Sequence, residues 1–221
     1  VDGKIDDVGF GDRGRAGRFP FPGRNEGHTE RGWPFSGFWR VGNLFGTLLR
    51  IALLVLGAIL VVAVGGRFVT TVAERTAAEP ARAGLAGLLA EILFVPLVVI
   101  TVVVLAVSII GIPLLLLVPF ALVLSLVLML VGFTGVATQV GRTVTARIGI
   151  TTGAYRMVAI GVVTIHVFAI LARLVGLAGG SFGGVLGGTL AVVGFLVEYL
   201  AWTVGTGAVI LLAGSVPFAT A

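Results

Sequence analysis

The sequence predicts an all-α integral membrane protein of about five transmembrane helices, including a tight helical hairpin, with an extended polar arm at its N-terminus. Three observations lead there. The 221 residues are 57% hydrophobic and only 11% charged, against roughly 25% charged in a soluble domain, and the mean hydropathy is +1.14. Between Glu91 and Arg142 lie fifty residues without a charged side chain. As one helix that stretch would measure about 75 Å, while a bilayer core is about 30 Å thick, so it must fold back on itself. The third observation is the turn at its centre, Ile110-Gly111-Ile112-Pro113. Gly111 permits the reversal and Pro113 cannot continue the preceding helix.

Taken in order, residues 1–43 read as a polar, Gly/Arg-rich extended arm with no helical apolar period, ordered where a partner holds it. The arm ends in Trp33, Phe35, Phe38 and Trp39, aromatic anchors of the kind that collect at headgroup depth. The membrane domain then covers residues 44–221, with spans expected at about 44–64, 88–110, 114–136, 157–174 and 185–213. Residues 65–82 form an amphipathic connector carrying Arg67, Glu74, Arg75, Glu79 and Arg82. Phe68, Val69, Val72 and Ala73 would line one side of a short helix lying on the membrane, ended by Glu79-Pro80. Arg50, roughly two turns into the first span, is placed to snorkel to the interface or meet an acidic partner.

Gly176, Gly180, Gly184 and Gly188 form one ladder spaced by four, and Gly179, Gly183 and Gly187 form a second. A loop is expected to about Ser181, with the last helix starting near Phe182. On a helix such ladders make a smooth face onto which another backbone packs closely, which marks them as partner-packing positions. Five spans put the termini on opposite sides. Arg31, Arg40, Arg50 and Arg173 fall on the N-terminal side, against Arg67, Arg75, Arg82, Arg142, Arg147 and Arg156 on the other. The basic excess assigns the N-terminus to the periplasmic side and the C-terminus to the cytoplasm. The expected location is a bacterial inner or intracytoplasmic membrane.

Chemistry is scarce. Ionisable groups deep in a membrane are the first place to seek function, and two lie near the midplane: His166 in the fourth span and Glu198 in the fifth. These spans are consecutive and antiparallel, so the two side chains are expected to meet, as a structural hydrogen bond or as a proton-sharing pair. His166 is also a weak candidate for a pigment or haem ligand through a neutral imidazole nitrogen. No catalytic residue, no metal site and no obligatory cofactor is expected, although bound lipid is. Cysteine is absent, which removes thiol chemistry and disulfides. There is no phosphate loop, HExxH or GxSxG. No aspartate follows Asp12, so a membrane di-aspartyl protease is excluded. The net charge of +5 comes from arginines near membrane edges, which suit anionic lipid headgroups or acidic partner loops and not nucleic acid.

Together these elements resemble a membrane module of bacterial bactofilin-like proteins, in which a polymer-forming β-solenoid is joined to several transmembrane helices. The residues that carry the resemblance are the first span at 44–64, the connector at 65–82, the turn from Ile110 to Pro113, the basic loop from Arg142 to Arg156 and the glycine-rich stretch from Gly176 to Gly188. Val1-Asp2-Gly3-Lys4-Ile5 is similar to the last rung of such a solenoid, and the chain begins without methionine, so an upstream portion is expected. The resemblance implies a scaffold and transfers no catalytic residue. The expected function is a non-catalytic scaffold or accessory subunit packing against other membrane protein subunits of a larger complex, with a photosynthetic or respiratory assembly as one host. The alternative is a small transporter or proton-coupled channel using His166 and Glu198.

Overall fold

The computed structural model describes residues 36–108, 111–178 and 180–215. Every element among them is a helix: α1 (Ser36–Ala78), α2 (Pro80–Val107), α3 (Gly111–Leu115), α4 (Leu117–Ile148), α5 (Ala154–Ile165), α6 (Val167–Ala178) and α7 (Gly180–Ser215). Four stretches are long and apolar enough to cross a membrane, Gly42–Ala78, Pro80–Val107, Pro113–Ile148 and Phe182–Gly214. Helices α5 and α6 supply a fifth if counted as one span bent by 49°. The chain is a membrane-embedded helical protein.

The first span and the connector form one helix, bent at Gly65, whose φ of −127° and ψ of 32° leave the helical region. The bend falls at a Gly-Gly pair, a common place for a helix to break step. Beyond it, Val69, Val72 and Ala73 are buried while Phe68 is exposed. The apolar side expected to lie on the membrane is thus turned mostly against protein. Its period is the same in both cases, and α4 offers Gly135, whose missing side chain makes the room that Val72 fills. Helix α1 ends where the sequence places the stop, since Glu79 precedes Pro80 and adopts φ −137°, ψ 63°.

The hairpin turns where expected. Gly111 donates its N–H to the Ser108 carbonyl at 2.9 Å, and a Cβ at Gly111 would overlap the Leu105 backbone. Pro113 lies within the short helix α3 that carries the chain across; Ile110 lies outside the described residues. The two arms do not close on each other tightly. They face across a cleft lined by Phe94, Leu97, Val98 and Thr101 of α2 and by Val118, Ala121, Leu122 and Ser125 of α4. Bulky side chains on both walls hold the backbones apart.

Among the described residues, three glycine pairs make the tightest approaches between helices. Gly87 of α2 meets Gly207 of α7, Gly132 of α4 meets Gly205 of α7, and Gly141 of α4 meets Gly161 of α5; at each of the six, an added Cβ would collide with backbone of the opposing helix. Such contacts are how membrane helices gain van der Waals energy where no hydrophobic effect drives them together. Around them sits a core of Phe133, Val136 and Ala137 from α4, Val158, Val162 and Ile165 from α5, Ala201 from α7, and Ile51 and Ala58 from α1.

Two expectations about the ends change. The extended arm was expected to run to residue 43, but α1 already begins at Ser36, because the aromatic segment is apolar enough to join the span it precedes. Phe38 and Trp39 therefore lie on the first turns of α1, while Trp33, Phe35 and the arm before them fall outside the described residues. In place of the loop expected from Gly176 to Ser181, α6 runs on to Ala178 and α7 opens at Gly180 with φ of +73°. A single left-handed glycine makes the reversal in fewer residues than a loop.

Candidate functional site

The expected pair is brought together. Glu198 stands at the midpoint of the Phe182–Gly214 span, and its Oε1 lies 3.6 Å from His166 Nε2. His166 occupies the break between α5 and α6, with φ of −91° and ψ of 3°. Its backbone N–H reaches both the Val162 and Val163 carbonyls, at 3.2 and 3.1 Å. Its Nδ1 lies 2.8 Å from the Val162 carbonyl oxygen. A carbonyl only accepts, so Nδ1 carries the proton and donates. The imidazole thus shares the Val162 carbonyl with the His166 backbone N–H.

That bond fixes the other side of the ring. With Nδ1–H committed to Val162, Nε2 is the nitrogen left for chemistry, and it is buried with no hydrogen-bond partner. It faces a carboxylate oxygen, which is also an acceptor. A proton between the two would turn this 3.6 Å approach into an attraction. Phe133 stands edge-on to the imidazole at 6.2 Å and stacks on Trp202 at 4.6 Å. These rings shield the ring face, and His166 is 2% exposed.

Glu198 has a second partner that sequence reasoning left open. Arg50 of α1 forms an ion pair with the same Oε1. The guanidinium is largely exposed while the carboxylate is 13% exposed, so the acid is sheltered between a cation at the surface and an imidazole inside. A lone arginine and a lone glutamate in two spans are a charge-complementarity signal, but across 148 positions nothing local pairs them.

The second intramembrane acid, Glu91 of α2, is also satisfied. Tyr199 donates its hydroxyl to Glu91 Oε2 at 2.7 Å, and buried Thr203 donates to Oε1 at 2.9 Å. Tyr199 and Thr203 lie one helical turn apart on α7, about 100° around from the face that carries Glu198 and Trp202. One short stretch of α7 therefore anchors two polar clusters and two of the three glycine contacts.

The glycine ladders separate by face. Gly183 and Gly187 are buried, and a Cβ at Gly187 would come within 3.2 Å of the Ala172 carbonyl of α6. Around Gly176, Gly180, Gly184 and Gly188 a Cβ would meet open space; Gly179 lies outside the described residues. As for a bound macrocycle, its metal would take Nε2 of His166, where the Glu198 carboxylate already stands, with Phe133 against the ring. This site does not fit such a group. No cluster of three or more His, Asp or Glu side chains that could hold a metal ion occurs among the described residues.

The class these features define is a membrane-embedded bundle whose interior charges answer one another. No protein-family model, curated protein or solved structure matches the chain.

Proposed function

We propose that the protein is a non-catalytic membrane scaffold or accessory subunit that packs against a larger membrane assembly. The observation that carries this reading is an imbalance of surfaces. Arg50, Glu198 and Glu91 are spent on internal partners, whereas Gly184 and Gly188 leave a strip of α7 backbone open, with Phe182 and Val185 exposed beside it. Lipid chains cover such a strip less closely than another helix does, since a glycine ridge admits a facing backbone. An energy-converting complex, photosynthetic or respiratory, is one host class in keeping with this, in a bacterial inner or intracytoplasmic membrane. The arginine excess on the Arg67 to Arg156 side supports a periplasmic N-terminus.

The experiment is gentle detergent extraction from native membranes, then size separation and mass spectrometry. Co-migration with a large complex is expected, and Gly184→Leu with Gly188→Leu should abolish it while leaving the isolated chain folded. A wild-type chain that migrates alone would sink the proposal.

A second reading is favoured by one atom. His166 Nε2, buried and unpartnered opposite Glu198, is in keeping with a proton-coupled channel or small transporter. Proton flux into liposomes that disappears in Glu198→Gln would replace the scaffold reading with this one.

A further inference from the structure

We infer that the cleft beside the bend of α1 binds the phosphate headgroup of an anionic membrane lipid. The cleft has a volume of about 470 Å³ and lies among α1, α4 and α5. Arg67, Arg142 and Tyr155 bring polar ends to it, and Val62, Val69 and Met157 line it with apolar surface.

Two arginines line this one cleft, and no acidic residue lines it. Six arginines lie at this end of the bundle. Arg75 and Arg82 are both held by Glu79, at 3.5 and 3.1 Å. Arg67, Arg142, Arg147 and Arg156 have no ion pair among the described residues, and the first two line the cleft. The backbone fixes them in place. Arg67 follows the Gly65 bend by two residues, and Thr70 Oγ1 donates to the Arg67 carbonyl at 2.7 Å. Arg142 follows Gly141, which is locked against Gly161.

The position selects a lipid over a free ion. The cleft lies beside the α4–α5 connection, at the arginine-bearing end of the apolar spans, where a bilayer placed on those spans would bring its headgroups. Basic pockets between membrane helices are suited to anionic headgroups, which they hold by charge and by hydrogen bonds to the phosphate. Tyr155, 53% exposed at the rim, places a phenol where it can donate a further hydrogen bond. Below the phosphate, Val62, Val69 and Met157 suit glycerol carbons and the first methylenes. A choline lipid carries the same phosphate but adds a quaternary ammonium that two arginines repel, so a net negative headgroup is preferred.

The test uses the full chain purified in neutral detergent, with native mass spectrometry reading retained phosphatidylglycerol against phosphatidylcholine of identical chains. Wild type is expected to retain phosphatidylglycerol preferentially, and Arg67→Gln with Arg142→Gln to lower that retention by about 30-fold. Arg147→Gln, in the last turn of α4 but outside the cleft, should change it by less than about twofold. Arg67→Lys with Arg142→Lys should keep most of the preference. Equal retention of the two lipids, or a glutamine pair that behaves as wild type, overturns the proposal. So does a folded lysine pair that loses as much as the glutamine pair, or stabilisation by inorganic phosphate without lipid retention, which would make this a free-anion site. Loss of co-migration with a complex at unchanged lipid retention would assign the arginines to an acidic protein partner instead.

Discussion

Helix α4 is two materials joined end to end. From Leu117 to Leu130 it is apolar but for Ser125 and no residue is buried, whereas from Gly132 to Thr145 it contributes Gly132, Phe133, Thr134, Gly135, Val136, Ala137, Thr138, Gly141 and Thr145 to the interior. The first half is built of Leu, Val, Phe and Met, the second of Gly, Thr, Ala and Val. Large side chains give lipid a continuous apolar surface but keep neighbouring backbones apart. Small ones let α5, α7 and the bent end of α1 come to within backbone contact, and each buried threonine hydroxyl returns to a carbonyl on its own helix, as Thr134 does to Leu130 at 2.7 Å and Thr138 to Thr134 at 2.8 Å. In a bilayer, small side chains and self-satisfied hydroxyls mark the inside, and hydrophobicity does not.

The sharpest way to break that contrast is to give the inside a large side chain. Gly161→Val drives a branched side chain into the Ala137 carbonyl, and with backbone on both sides nothing can yield cheaply. A loss of more than about 3 kcal/mol is expected, read as failure to elute monodisperse from mild detergent. Gly188→Val on the open strip should leave elution unchanged.

Next in size is the ion pair. Arg50→Leu strips the cation from a sheltered carboxylate, whereas Glu198→Gln leaves an exposed guanidinium free to reach headgroups. The arginine change should therefore destabilise more, by about 1–3 kcal/mol in reversible unfolding, and the double variant should recover part of that loss. Equal effects would mean that Glu198 is protonated and that Arg50 does not hold it.

Smaller again is Tyr199→Phe, which removes one of the two donors to Glu91. A small loss of stability in reversible unfolding is expected, with Thr203→Val larger because Thr203 is buried. The smallest change belongs to the outer half. Leu124→Ala, at a 59% exposed position, should shift stability by less than about 0.5 kcal/mol, since lipid replaces what is removed. A shift several times larger would show that this surface meets protein even in the isolated chain.

Much of this was legible in the sequence. A charge-free stretch too long for one crossing, with Gly111 and Pro113 at its centre, led to the hairpin, and two consecutive antiparallel spans led to the meeting of His166 with Glu198. What escaped was decided by distant residues. The apolar period of Val69, Val72 and Ala73 is the same whether they face lipid or Gly135, so the connector looked like a surface helix. The break at His166 has neither glycine nor proline at it, so no local rule announces it. The glycine ladders after Gly176 drew attention by their regularity, yet the contacts that bind the bundle use isolated pairs, Gly132 with Gly205 and Gly87 with Gly207, whose spacing along the chain carries no repeat.

The placement of α7 has a consequence for biosynthesis. Gly205 and Gly207, the partners of α4 and α2, the Glu198 carboxylate before His166, and the hydroxyls that satisfy Glu91 all belong to α7, which leaves the ribosome after α1 to α6. Because chains emerge N-terminus first, α2, α4 and the bent α5–α6 pair must wait in the bilayer with glycine faces unfilled and with Glu91 and His166 unanswered. Until α7 arrives, the nascent protein is a set of helices exposing what quality-control proteases and insertion chaperones recognise. The interval in which those faces stand open is the time needed to translate and insert α7.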